Sequence, residues 1–166
     1  FSRDTSTIKA KIEALVTAYN DANSMLGVVS DPKSTVETYG ATLVGNSVVG
    51  SVRNQMRSLI TSDSNSPSGG LTALRDIGLS ISKTGELELD ATKLDSALTY
   101  KYDNVVTLLT SNREKQSTFS VLPAGAAGEA VKKLTALLDT AAPLTSQSEN
   151  LTTKIASYKK ELTTLE

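Results

Sequence analysis

Between Thr5 and Leu26 the apolar residues Ile8, Ile12, Leu15, Tyr19, Ala22 and Leu26 recur at alternating steps of four and three. That rhythm sets them along one stripe, the a/d seam of a heptad, and predicts a helix over about 5–26 with Asp4 as its N-cap. The same rhythm returns in Leu151, Ile155, Tyr158, Leu162 and Leu165, with Lys154, Lys159, Lys160 and Glu161 on other faces, and predicts a last helix over about 146–166. Neither Gly nor Asn closes that helix, so its seam is expected to continue beyond Glu166. Phe1, with no initiator Met and no signal-peptide pattern around it, reads as a second cut edge.

The middle of the chain changes period several times. Asp31-Pro32-Lys33 interrupts the first helical region, because Pro has no amide donor and disfavours helical geometry in the residue before it. Residues 27–45 are expected to form a partly helical connection. A helix over about 47–60 follows, capped by Ser47, with Val49, Val52, Met56 and Leu59 as its buried stripe and Gly50 admitting a close neighbour. Thr61 to Gly70 reads Thr-Ser-Asp-Ser-Asn-Ser-Pro-Ser-Gly-Gly, which anchors no core and favours turns, so a flexible surface loop is expected. From Leu79 to Leu89 apolar and polar residues alternate on both sides of Gly85, which predicts a β-hairpin. Asp90 and Asp103 then cap short helices over about 91–100, carrying Leu94, Ala97 and Leu98, and 103–110, carrying Val106 and Leu109. After a polar connection over 111–124, Val131, Leu134, Leu138 and Ala141 mark a helix over about 125–142 that Pro143 closes. Together these elements predict a mainly α fold: an antiparallel helical bundle, a coiled-coil-like leg with a small β-hairpin, in one domain over 1–166.

Composition narrows the chemistry. The apolar 39% comes from Leu, Val, Ile and Ala, with five Tyr, two Phe and no Trp, so the core is expected to be aliphatic. Lys and Arg number 17 against 18 Asp and Glu and never gather beyond adjacent pairs such as Lys132-Lys133, which excludes the clustered phosphate contacts of a nucleic-acid binder. Cys and His are absent, which removes disulfides, thiol chemistry, imidazole bases and the preferred zinc ligands. No run approaches the roughly 20 apolar residues needed to cross a bilayer, so membrane insertion is not expected.

Motif-like stretches fail on inspection. Gly45-Asn46-Ser47-Val48-Val49-Gly50 has the glycine spacing of a phosphate loop, but Ser51-Val52 replace the lysine and hydroxyl that would meet phosphate and Mg2+. Glu86 and Glu88 share one strand face about 7 Å apart. With Leu87 and Leu89 buried, both carboxylates are expected to stay in water rather than in the shielded setting that general acid work needs. Asp63 and Asn65 open like a calcium loop, but Ser68 replaces the turn glycine and Leu74 the bidentate glutamate. No enzyme, no cofactor and no metal site is expected. The sites to examine are the seam residues Ile8, Ile12, Leu15 and Tyr19, and Leu151, Ile155, Tyr158, Leu162 and Leu165, which pack within the chain or against a partner.

Three blocks in order are similar to a known family: Ile12 to Asn20 (Ile-Glu-Ala-Leu-Val-Thr-Ala-Tyr-Asn); Leu43-Val44-Gly45-Asn46-Ser47 leading into Val52-Arg53; and Leu74-Arg75-Asp76-Ile77-Gly78-Leu79 continuing from Gly85 to Leu98. They resemble the C-terminal region of flagellar hook-associated protein 2, the bacterial filament caps. Asn46 stands where many relatives carry Asp. The resemblance implies a helical leg domain in a protein exported by the flagellar secretion system to the extracellular filament tip, self-associating there and helping flagellin and other axial partners assemble. The alternative reading is a surface adhesin-like module that takes a host surface ligand through loop 61–70.

Overall fold

The computed structural model describes residues 3–110 and 125–138, with the helical positions 153, 154, 156, 157 and 160. The chain divides into two compact units, 1–130 and 131–166.

The first unit opens with α1, Thr5–Ser30, whose N-cap Asp4 accepts a hydrogen bond from the Thr7 amide at 3.0 Å. It runs one turn past the expected end at Leu26, because Pro32 restrains only Asp31, which turns extended and stops the helix. The following connection folds back to serve the helix end. Ala41 and Leu43 donate their amides to the Val28 and Val29 carbonyls at 3.2 and 2.8 Å, filling acceptors that a helix terminus leaves open. This return places Ala41 at φ 58°, the one non-glycine residue with positive φ among those described.

The next helix, α2, spans Ser47–Thr61. Its cap is Asn46 rather than Ser47: the Asn46 side chain accepts from the Val48 amide at 2.9 Å, and Ser47 is already helical. Val48, Val49, Met56 and Ile60 are buried, while the expected Val52 and Leu59 are half-buried. Packing on both α1 and the strand Leu79–Ile81 turns the buried sector toward Ile60.

The expected flexible loop over 61–70 is instead mostly strand. β1, Asp63–Ser68, pairs antiparallel with β2, Leu71–Ala73, across a turn in which Gly69 and Gly70 take φ of 56° and 82°. No side chain of β1 is apolar except Pro67; its alternate serines are held by a helix. Ser64 and Ser66 donate their hydroxyls to the Leu108 and Thr107 carbonyls at 3.2 and 2.8 Å, and Asn104 donates to the Ser68 hydroxyl at 2.9 Å. Hydrogen bonds, not hydrophobic burial, set the register of this strand.

After a 3-10 turn over Leu74–Ile77 comes the hairpin expected over 79–89: β3, Leu79–Ile81, and β4, Leu87–Leu89, pair antiparallel, Leu79 opposite Leu89 and Ile81 opposite Leu87. Gly85 at φ 90° closes the connecting turn. Asp90 caps α3, Ala91–Tyr100, accepting from the Lys93 amide at 3.0 Å. The helix α4 spans Tyr102–Leu109 and has no side-chain cap. The expected cap, Asp103, lies inside its first turn and pairs with Arg3 at 3.1 Å. Val105 and Leu108 fill the core and the expected Val106 and Leu109 are half-buried, a one-residue rotation consistent with a helix that starts one residue early. The last described helix, α5, spans Gly125–Leu138. The expected positions 139–142, and the helix over 146–166 apart from the five helical positions named above, lie outside the described residues.

The fold is mainly α with two small antiparallel hairpins. The core of the first unit joins Ile12 and Tyr19 of α1, Met56 and Ile60 of α2, Leu71, Leu74, Ile77, Leu79 and Leu87 from the hairpins and their link, and Leu94, Leu98, Val105 and Leu108 of the short helices. It is aliphatic except for Tyr19 and Met56.

Candidate assembly surface

The first predicted seam does not stay on one side. Ile12 and Tyr19 are buried and Ile8 packs half-buried against the same core, so these three are intramolecular contacts of the first unit. Leu15 is 40% exposed. At 3.6 residues per turn Leu15 stands about 60° around the helix from Ile12, against about 20° for Tyr19, and falls at the edge of the buried stripe. There it heads a second line, Leu15, Ala18, Ala22 and Met25, again at steps of three and four, with Ala18 exposed, Ala22 half-buried and Met25 57% exposed. The residues of the last seam, Leu151, Ile155, Tyr158, Leu162 and Leu165, lie outside the described residues; the helical positions between them, Thr153, Lys154, Ala156, Ser157 and Lys160, are exposed. In the second unit, Val131 is 65% and Leu134 43% exposed on α5, so the stripe predicted for that helix is open at both.

Two polar side chains that the sequence reading left without a role hold α1 and the hairpins in place. Asn20 grips the outer edge of β4: its amide donates to the Leu87 carbonyl at 3.0 Å, and its carbonyl oxygen accepts from the Leu87 amide at 2.8 Å. The grip satisfies backbone groups that an edge strand would otherwise present to another chain. Asp76 collects the Thr72 amide at 2.7 Å, the Thr72 hydroxyl at 2.9 Å and the Ala73 amide at 3.0 Å. These bonds, the Thr72 amide first, hold its carboxyl below the usual carboxylate range despite some burial. Beside it Arg75 pairs with Asp63 at 2.8 Å, and Lys93 donates to the Arg75 carbonyl at 2.8 Å. Gly78, at φ 101°, ends the 3-10 turn where a Cβ would stand 2.7 Å from the Asp90 carbonyl oxygen. The block Leu74 to Leu79 is therefore a structural junction: three buried side chains, one clamp and one obligatory glycine.

The remaining polar features face solvent. Glu86 and Glu88 are exposed opposite the buried Leu87, and Glu86 accepts from the Thr84 hydroxyl at 3.1 Å. Gly50 has no atom within 4 Å of where its Cβ would lie, so the close neighbour expected there is not supplied by the described residues. At the start of α1, Arg3 stacks 5.1 Å from the centre of the Tyr102 ring while pairing with Asp103, and Lys9 pairs with Asp95. What the surface offers is apolar helix flank, which suits contact with another chain.

Comparison with known proteins agrees with that character. Residues 1–166, the whole chain, match the family described as flagellar hook-associated protein 2 C-terminus. The chain is 29% identical over 170 residues to the B-type flagellar hook-associated protein 2 of Pseudomonas aeruginosa, covering 98% of this chain and 35% of that protein. Its fold is similar to the crystal structure of the flagellar cap protein FliD D1-D2-D3 domains from Escherichia coli, with a TM-score of 0.70 and 23% identity over 90% of this chain and 37% of the other. The three sequence blocks, the mainly α fold and the match along its whole length lead to one conclusion: the chain belongs to the flagellar hook-associated protein 2 C-terminal family.

Proposed function

We propose that the chain is the C-terminal part of the helical leg of a flagellar filament cap, a structural protein that self-associates at the filament tip and promotes the folding and insertion of flagellin. The observation that carries this reading is the family match over all 166 residues. In it the protein is extracellular, delivered by the flagellar secretion system, and its partners are further copies of itself, flagellin and other axial subunits. Helix seams seat it: the flank headed by Leu15, and the terminal seam Leu151, Ile155, Tyr158, Leu162 and Leu165. A cap that must shift as each subunit arrives is served better by modest, replaceable helix contacts than by one large sealed interface. The adhesin alternative needed a free loop at 61–70, and most of that segment is a strand bound to α4.

A strain lacking the full-length protein is expected to shed unpolymerised flagellin into the medium and to recover filaments on complementation. Normal filaments without it would overturn the cap reading. In the full-length protein, Leu162→Asp with Leu165→Asp is expected to abolish cap assembly and swimming; unchanged motility would remove the terminal seam from the reading.

A further inference from the structure

The chain has no Cys, no His and no Trp, and its sulfur is confined to two methionines, Met25 and Met56. A hydroperoxide oxidises a side chain at sulfur, so these thioethers are where it acts on this chain. They stand in opposite settings. Met56 of α2 is 8% exposed and lies in the core with Ile12, Tyr19 and Ile60. Met25 of α1 is 57% exposed on a regular helical turn, so it is reached without any opening of the fold. Its place gives the reaction a consequence. Met25 closes the line Leu15, Ala18, Ala22 and Met25 on the outer flank of α1, and with Leu15 it is one of the two large side chains there. The alanines between them are small, so the apolar character of the flank depends on its two ends.

We propose that Met25 is a peroxide-responsive modification site, at which oxidation to the sulfoxide makes the outer flank of α1 polar while the fold beneath it stays intact. The sulfur lone pair attacks the hydroxyl oxygen of the hydroperoxide, forming an S–O bond as the O–O bond breaks. The proton of that hydroxyl moves to the departing oxygen, which leaves as water or an alcohol. Sulfur gives up an electron pair and the peroxide is reduced by the same pair. A polar, chiral group thus replaces a flexible apolar one. Its oxygen calls for a hydrogen-bond donor, which an apolar surface laid against the flank does not supply. Met56 stays reduced because reaching it requires the first unit to open. Methionine sulfoxide reductases return the product to the thioether, so the change is reversible. Its effect on assembly rests on the reading of this flank as a contact surface; the selectivity for Met25 does not.

The test treats the purified full-length protein with hydrogen peroxide and maps its peptides by mass spectrometry. Met25 is expected to gain one oxygen several-fold faster than Met56 in the native protein, and at a similar rate in concentrated urea. Circular dichroism and the thermal midpoint should hold once Met25 has reacted. Self-association, followed by light scattering, should fall several-fold and recover after treatment with methionine sulfoxide reductases and a thiol reductant. Met25→Leu keeps the flank apolar without a sulfur and should associate as the parent does, whether or not peroxide is added. Met25→Gln makes the flank polar without oxidation and should associate weakly from the start. Equal native rates at the two methionines, unfolding on oxidation of Met25, association indifferent to peroxide or to Met25→Gln, or a Met25→Leu variant as sensitive as the parent would overturn the inference. The shedding of flagellin by the deletion strain tests the cap reading separately, so either can fail alone.

Discussion

Asn20 is the residue on which α1 and the second hairpin depend for a specific fit. Its amide makes both bonds to Leu87, so Asn20→Ala leaves a backbone donor and acceptor of β4 without their partner, at a cost of about 1–3 kcal/mol. Urea unfolding of the variant should show the midpoint falling with an unchanged slope. An asparagine inside an amphipathic helix is a visible anomaly, since it competes with the backbone and disfavours helix. What the sequence could not reveal was its target, a strand edge 67 positions away. Ala41 presents the opposite case. Its φ of 58° strains an L-residue with a Cβ, so Ala41→Gly is expected to stabilise by about 1 kcal/mol, read as a raised thermal midpoint. The return of residues 31–46 onto the α1 terminus forces that conformation, and nothing in the local sequence announces it.

At the scale of elements, legibility followed the source of stability. The hairpin over 79–89 was readable because its leucines alternate, and α3 because Asp90 sits where a cap belongs. Strand β1 was not, because its alternation is serine against polar residues and its partners are carbonyls of α4, more than 40 positions on. Ser66→Ala therefore removes a bond to the Thr107 carbonyl and should cost about 1 kcal/mol. Hydrogen exchange should rise first at the β1 amides. Asp76 links β2 to the 3-10 turn by charge as well as by geometry. Because its folded pKa lies below the usual carboxylate value, its contribution is complete above that ordinary value and is lost as pH falls through the lower folded one. Asp76→Asn should thus be less stable than the parent at neutral pH and converge with it in acid, as followed by thermal midpoints across pH.

For the whole molecule the decisive division is between the inner and outer lines of α1. Ile12→Asp places a charge in the core and is expected to unfold the first unit, or to cost more than about 3 kcal/mol. Leu15→Asp with Met25→Asp touches only exposed flank, should leave circular dichroism and thermal midpoint nearly unchanged, and should weaken assembly of the full-length protein. Finding both lines equally sensitive in stability would mean the flank is already covered within the chain. Sequence periodicity found the helix but joined its two lines into one, since heptad spacing does not record which side the rest of the fold occupies. The ties of α1 also carry a timing. Arg3 meets Asp103 across 100 positions, Asn20 meets Leu87 across 67, and Lys9 meets Asp95. Within this segment α1 is made before the residues near 87, 95 and 103 that it closes on, so its ties wait for them. Such distant closures slow folding and expose the waiting segment to wrong partners. The ties of α1 are therefore complete only once the chain has been made through Asp103, and until then its core-facing side is open to wrong partners.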